Sequence, residues 1–158
     1  MTVSFELQLP RPVKSLSDVL SFGRSYGQTW LVSHFGDGYL AGYMRVIEGH
    51  PWFRSYDIER DSMKGCHTGI VWCGGDLQEY ADVAEGWWFG FNCATYYDYP
   101  DESLAKEYGC DTSKWKPKQA GQTVRRLDYV EEILISLSQE AWAAILAEEN
   151  KQRKRRRK

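Results

Sequence analysis

Two runs of alternating apolar and polar side chains, Thr29 to Phe35 and Tyr39 to Val46, flank Gly36-Asp37-Gly38. Asp-Gly between such runs predicts a β-hairpin, because both turn residues tolerate positive φ. With the turn centred on Asp37-Gly38, Leu31 and Phe35 are expected on the same face as Leu40, Met44 and Val46, and that face in the core. The spacing Gly36-x-Gly38-x-x-Ala41 imitates a dinucleotide-binding fingerprint. That motif needs a helix after its glycines, whereas Gly42 to Val46 continue a strand, so the dinucleotide reading is rejected.

The remaining pattern predicts an α+β domain, a mostly antiparallel sheet of about five strands with a C-terminal helix packed on one face. Thr2 to Leu9 alternates as a half-buried strand does, and Ser15 to Phe22 reads as a short helix with Ser15 as its cap. His67 to Cys73 and Glu85 to Cys93 read as two further strands. From Leu127, the positions Val130, Ile133, Leu134, Leu137 and Ala141 form one helical stripe with acidic side chains outside it. Residues 95–122, with Tyr96, Tyr97, Tyr99 and Trp115, form a long connection holding a short helical piece from Glu102 to Tyr108. Connections of that length are functional or mobile.

At 158 residues the chain is one domain over residues 1–150 with a basic tail over 151–158. No apolar stretch reaches the roughly 20 residues that span a bilayer, and Met1 to Pro10 lacks the pattern of an export signal, so a soluble cytoplasmic protein is expected. The four cysteines contain no CxxC pair, which argues for reduced core thiols over a zinc module; a Cys66–Cys93 bridge stays open. Seven of the 20 basic residues lie in 151–158, leaving 13 basic against 22 acidic side chains in residues 1–150, a formal charge of −9. The tail is expected to be solvated, with nucleic acid as its candidate partner. The acidic body admits a second role, an inhibitor engaging the basic surface of a host nucleic-acid enzyme.

Pairing the strands 66–73 and 85–93 with Trp72 opposite Trp87 puts Thr68, Ile70, Trp72, Trp87, Phe89 and Phe91 on a core face. His67, Gly69, Val71, Trp88, Gly90 and Asn92 then share the other face. An indole between two glycine gaps, beside an imidazole and an amide, is what a pocket for a flat, nucleotide-like ligand needs. The candidate binding residues are therefore His50, Trp52, Tyr56, His67, Trp88, Asn92 and Asp98, with no cofactor or resident metal. A hydrolase using His67 with Asp57 or Asp98 is the catalytic alternative, without a HxxxH or HxH spacing to hold a metal. Cys93 is set on the face opposite His67, which counts against a nucleophilic role.

Gly49-His50-Pro51, Tyr56-Asp57, His67-x-Gly69-Ile70, Trp88-x-Gly90-Phe91-Asn92-Cys93-Ala94 with Asp98, and Asp128-Tyr129-Val130-Glu131 occur in that order. Over roughly residues 38–138, this order resembles a family of small bacteriophage and prophage proteins of unassigned function. Thr68, Asn92, Thr95 and Tyr97 depart from the family's glycine, aspartate, histidine and glycine. The resemblance implies expression in an infected bacterial cytoplasm. The first expectation for function is a non-enzymatic phage accessory protein that binds a host component or a small nucleotide-like ligand and blunts bacterial defence.

Overall fold

The computed structural model describes residues 9–56, 66–75 and 86–157. The strands are β1 (Val19–Ser25), β2 (Gln28–Gly36), β3 (Tyr39–Ile47), β4 (Trp72–Gly75), β5 (Gly86–Asn92), β6 (Asp98–Tyr99) and β7 (Thr123–Val124). The helices are α1 (Glu102–Glu107) and α2 (Leu127–Arg156). A five-stranded antiparallel sheet in the order β1-β2-β3-β5-β4 carries α2 on one face, and β6 and β7 form a separate parallel pair. The expected α+β architecture is present. The expected strand from Thr2 to Leu9 falls almost wholly outside the described residues.

The hairpin forms where expected, with Asp37 and Gly38 at φ 52° and 85°, but its faces are exchanged in β2. A bulge between His34 and Gly36 leaves Phe35 unpaired, so Leu31 opposes Tyr43 and Trp30 opposes Met44. One extra residue moves every side chain before it to the other face. Trp30 and Val32 therefore join Leu40, Met44 and Val46 beneath α2, while Leu31 lies on the opposite side of the sheet.

The expected helix from Ser15 to Phe22 is a single 3₁₀ turn, Leu16–Asp18, followed by β1. Tyr26 and Gly27, both at positive φ, close a two-residue turn that pairs Ser25 with Gln28. That turn makes the segment before it a strand despite the helical spacing of Leu16, Val19 and Leu20. Both faces of the sheet are buried. Trp87, Phe89, Phe91 and Cys93 meet Val130, Ile133, Leu134, Leu137 and Ala141 on one side. Trp88, Leu31, Ala41 and Tyr43 pack under Val13 on the other, with Leu9, Val19 and Trp72 at the margin.

Gly42 sets how closely α2 approaches: a Cβ there would lie 2.8 Å from Phe91 and 2.9 Å from Val130. The helix keeps its buried stripe to Ala141 and then continues for four more turns through the basic residues, so most of the tail is an extension of α2. All four cysteines are free thiols, and the bridge between Cys66 and Cys93 is not formed. Among the described residues no helix is long and apolar enough to cross a membrane.

Candidate functional site

The paired surface expected from His67, Trp88 and Asn92 does not exist. β4 begins at Trp72, and Trp72 opposes Gly90, three positions from the expected register. An odd shift exchanges faces, so Trp72 joins Trp88 on the side away from α2. Trp88 is 0% exposed inside the second core, and the space over Gly90 is filled by the Tyr43 ring, 2.6 Å from where a Cβ would stand. Gly69 has a φ of 68° in irregular chain. Asn92 spends its side-chain oxygen on the backbone N–H of Ala94.

His50 is also structural. Its Nε2 lies 2.9 Å from the Ala141 carbonyl, and its Nδ1 accepts from the Trp52 N–H at 2.9 Å. Burial lowers its pKa, partly opposed by the Ala141 contact. Trp52 stands edge-on to both His50 and Phe89, and exposed Tyr56 stands edge-on to Trp87. These rings staple the loop after β3 to the core. Asp57 lies outside the described residues.

Of the expected residues, His67 and Asp98 meet. Asp98 is 2% exposed. Its Oδ2 lies 2.9 Å from His67 Nε2 and accepts from both the N–H and the hydroxyl of Thr95, at 2.9 and 2.7 Å. Burial on its own raises the carboxyl's pKa; the hydrogen bonds from His67 and Thr95 outweigh it, and the group sits below the usual carboxylate value. A carboxylate at Nε2 makes that nitrogen the donor, so Nδ1 accepts from the Tyr129 hydroxyl at 2.7 Å. The same hydroxyl accepts from the His67 backbone N–H at 3.3 Å. Arg125 lies over the Tyr129 ring, 4.5 Å from its centroid, with Nε 3.5 Å from Asp98 Oδ1. The chain Tyr129–His67–Asp98 has the connectivity of a proton relay, with both ring nitrogens of His67 occupied. Its position shows a second role: it ties the irregular segment 66–71 and β6 to the first turn of α2.

Asp98 and Tyr99 alternate along β6. Asp98 points into this network, and Tyr99 lines an open cleft of about 460 Å³. Tyr39 from the start of β3, Tyr96, and Trp115 from the connection before β7 supply the other aromatic walls, with Pro100 and Pro117. Tyr99 stands edge-on to Trp115 at 6.1 Å and donates from its hydroxyl to the Lys116 carbonyl at 2.6 Å. Gln122 shapes the far wall: its Oε1 accepts from the Gln119 N–H, and its Nε2 donates to the Tyr96 carbonyl. Asp37, Lys116 and Gln119 complete the polar lining. Burial, with Asp98, Asp37 and Tyr99 nearby, raises the Tyr39 pKa and keeps its phenol protonated near neutral pH.

None of these cleft residues was among the expected site. The signal was three tyrosines and a tryptophan in one long connection, but what gathers them is the parallel pairing of Asp98 with Thr123 and Tyr99 with Val124, which no local pattern announces. Burial pushes the Cys93 thiol up to about 12, so it is not a nucleophile at neutral pH. Among the described residues, no group of three His, Cys, Asp or Glu is placed to hold a metal ion. Comparison of the chain with protein-family models, with curated proteins and with solved structures returns no match.

Proposed function

We propose that the protein binds a flat, nucleotide-like ligand, and that the cleft walled by Tyr39, Tyr96, Tyr99 and Trp115 is where it does so. The observation that carries this reading is the cleft's composition: four aromatic rings and two prolines around about 460 Å³, with Lys116, Asp37 and two glutamines at its edge. Ligand pockets of a few hundred Å³ combine apolar walls with a few polar groups in this way. Rings accept a planar base by stacking, Lys116 suits a phosphate, and the Asp37 carboxylate suits an amino or hydroxyl donor. The Asp98 network on the reverse of β6 keeps Tyr99 in place before any ligand arrives. Set in a phage accessory role, such a protein would sequester a host nucleotide or signal derived from one.

Calorimetric titration with nucleoside mono-, di- and triphosphates tests the reading. Saturable heat, weakened roughly 10- to 100-fold by Trp115→Ala, is expected, since stacking of one base on one ring contributes roughly 1 to 3 kcal/mol. No saturable heat with any nucleotide contradicts it.

The relay favours a second reading, an acid–base enzyme in which Tyr129 passes a proton through His67. Turnover in a hydrolase screen that is abolished by both His67→Gln and Tyr129→Phe would support it. Turnover that survives both removes it.

A further inference from the structure

Charge is unevenly placed on the acidic body. Residues 111–126 hold five basic side chains against one acidic, whereas the rest of residues 1–150 holds 8 against 21. Three of the five, Lys114, Lys116 and Lys118, alternate with Trp115 and Pro117, which wall the cleft. All three lysines are exposed. Lys106 is paired with Glu102, Arg125 with Asp98 and Arg126 with Asp101, but among the described residues none of these three lysines is paired with a carboxylate.

Cations on both sides of a stacking ring are more than a free nucleotide uses. Its phosphates leave the sugar at one end, and Lys116, which itself lines the cleft, is enough to meet them. Lys114 and Lys118 flank that wall from outside the lining, within reach of a ligand that continues past the cleft. Lys118 Nζ donates to the Gln122 carbonyl at 3.3 Å and keeps two N–H groups for a phosphate. A second stacking surface stands beside the first: Tyr96 and Tyr97 are 78% and 64% exposed, with their rings edge-on at 5.4 Å. Gln122 Nε2 holds the Tyr96 carbonyl and the Thr123 N–H holds that of Tyr97, so both rings are fixed to the start of β7. Open ring faces for successive bases, in a groove lined by lysines, are how proteins hold a single strand.

We infer, on the reading that this cleft seats a nucleotide, that the nucleotide belongs to a single strand of nucleic acid. One base stacks in the cleft against Trp115, a neighbouring base stacks on Tyr97, and the phosphodiester chain passes Lys114, Lys116 and Lys118. A duplex does not fit, because its bases are already stacked on one another and present only their edges. The acidic remainder of the body repels phosphate and so confines the strand to this stripe.

Fluorescence anisotropy of the full chain with short labelled oligothymidylate and oligouridylate, run beside calorimetry with the mononucleotides, separates strand from nucleotide. An oligonucleotide is expected to bind about tenfold or more tighter than its mononucleotide, and the tighter of the two names the sugar. Its affinity should fall with salt at a logarithmic slope of about −2, for three phosphates met at about −0.7 each. Lys114→Gln with Lys118→Gln should weaken the strand by about tenfold and flatten that slope to about −0.7, with mononucleotide affinity and thermal midpoint unchanged. Trp115→Ala should weaken both ligands. Mononucleotides that saturate while oligonucleotides bind no tighter, or ignore the lysine pair, overturn the strand and leave the nucleotide cleft standing. No saturation by either removes both. Strand binding untouched by Trp115→Ala but lost in Arg153→Glu with Arg156→Glu would belong to the basic end of α2 and overturns the inference, as does equal affinity for a duplex of the same length.

Discussion

Nε2 of His67 lies 2.9 Å from Oδ2 of Asp98, a pair that links segments 31 positions apart and fixes β6 against the start of α2. Removing the acid leaves an imidazole N–H and the Thr95 hydroxyl and N–H without their acceptor in a buried place. Asp98→Ala should therefore cost about 2 to 3 kcal/mol, in the range for leaving buried donors without an acceptor. Urea denaturation at neutral pH measures it, and a loss under about 1 kcal/mol would show that the network is slack.

Two acid transitions are expected. Burial holds His50 and His34 below the ordinary imidazole value. Their folded pKa values lie under the unfolded one, so the stability held by the neutral rings is complete above about pH 6.5 and lost as pH falls through the folded values. The Asp98 carboxyl is also depressed, so its contribution holds above about pH 4 and disappears as pH falls through its lower folded value. The thermal midpoint should fall in two steps between pH 7 and 2. His50→Asn should shrink the first and Asp98→Asn the second; a single step unaffected by either contradicts the assignment.

Gly42→Ala tests how α2 seats on the sheet. The added methyl would stand 2.8 Å from Phe91 and 2.9 Å from Val130, both deep in the core. Overpacking of this kind costs about 1 to 3 kcal/mol. A neutral substitution by differential scanning calorimetry would mean that the helix can slide.

Trp88 separates a packing role from a binding role. It is buried with Leu31, Ala41, Tyr43 and Val13, so Trp88→Ala should cost about 3 to 5 kcal/mol. The milder Trp88→Phe, once folded, should leave nucleotide affinity unchanged. A ligand weakened tenfold by Trp88→Phe, at unchanged thermal midpoint, would move the site back to this face.

The sequence announced the elements whose rules are local. Asp37-Gly38 named its hairpin, and the stripe from Val130 to Ala141 named α2 and its buried side. Faces and registers were another matter, because they turn on single residues. The bulge at Phe35 reversed β2, and a three-residue offset between Trp72 and its partner reversed β4. Parity errors of this kind leave the fold class intact and relocate every site inferred from a strand face. His67 and Asp98 were both suspected, yet their meeting depends on Tyr129 arriving from α2, with Thr95 three residues before Asp98 holding the carboxylate in place. The cleft was hidden for the same reason: Tyr39 and Trp115 are 76 positions apart and share a wall through the pairing of β6 with β7.

The most direct measurement is a two-dimensional amide NMR titration of the isotope-labelled protein with nucleotides. Saturable shifts concentrated at Tyr96, Tyr99, Trp115, Lys116, Gln119 and Gln122, and absent in Trp115→Ala, are the result predicted by a nucleotide site in this cleft. Shifts that never saturate, or that cluster away from these six residues, would contradict it.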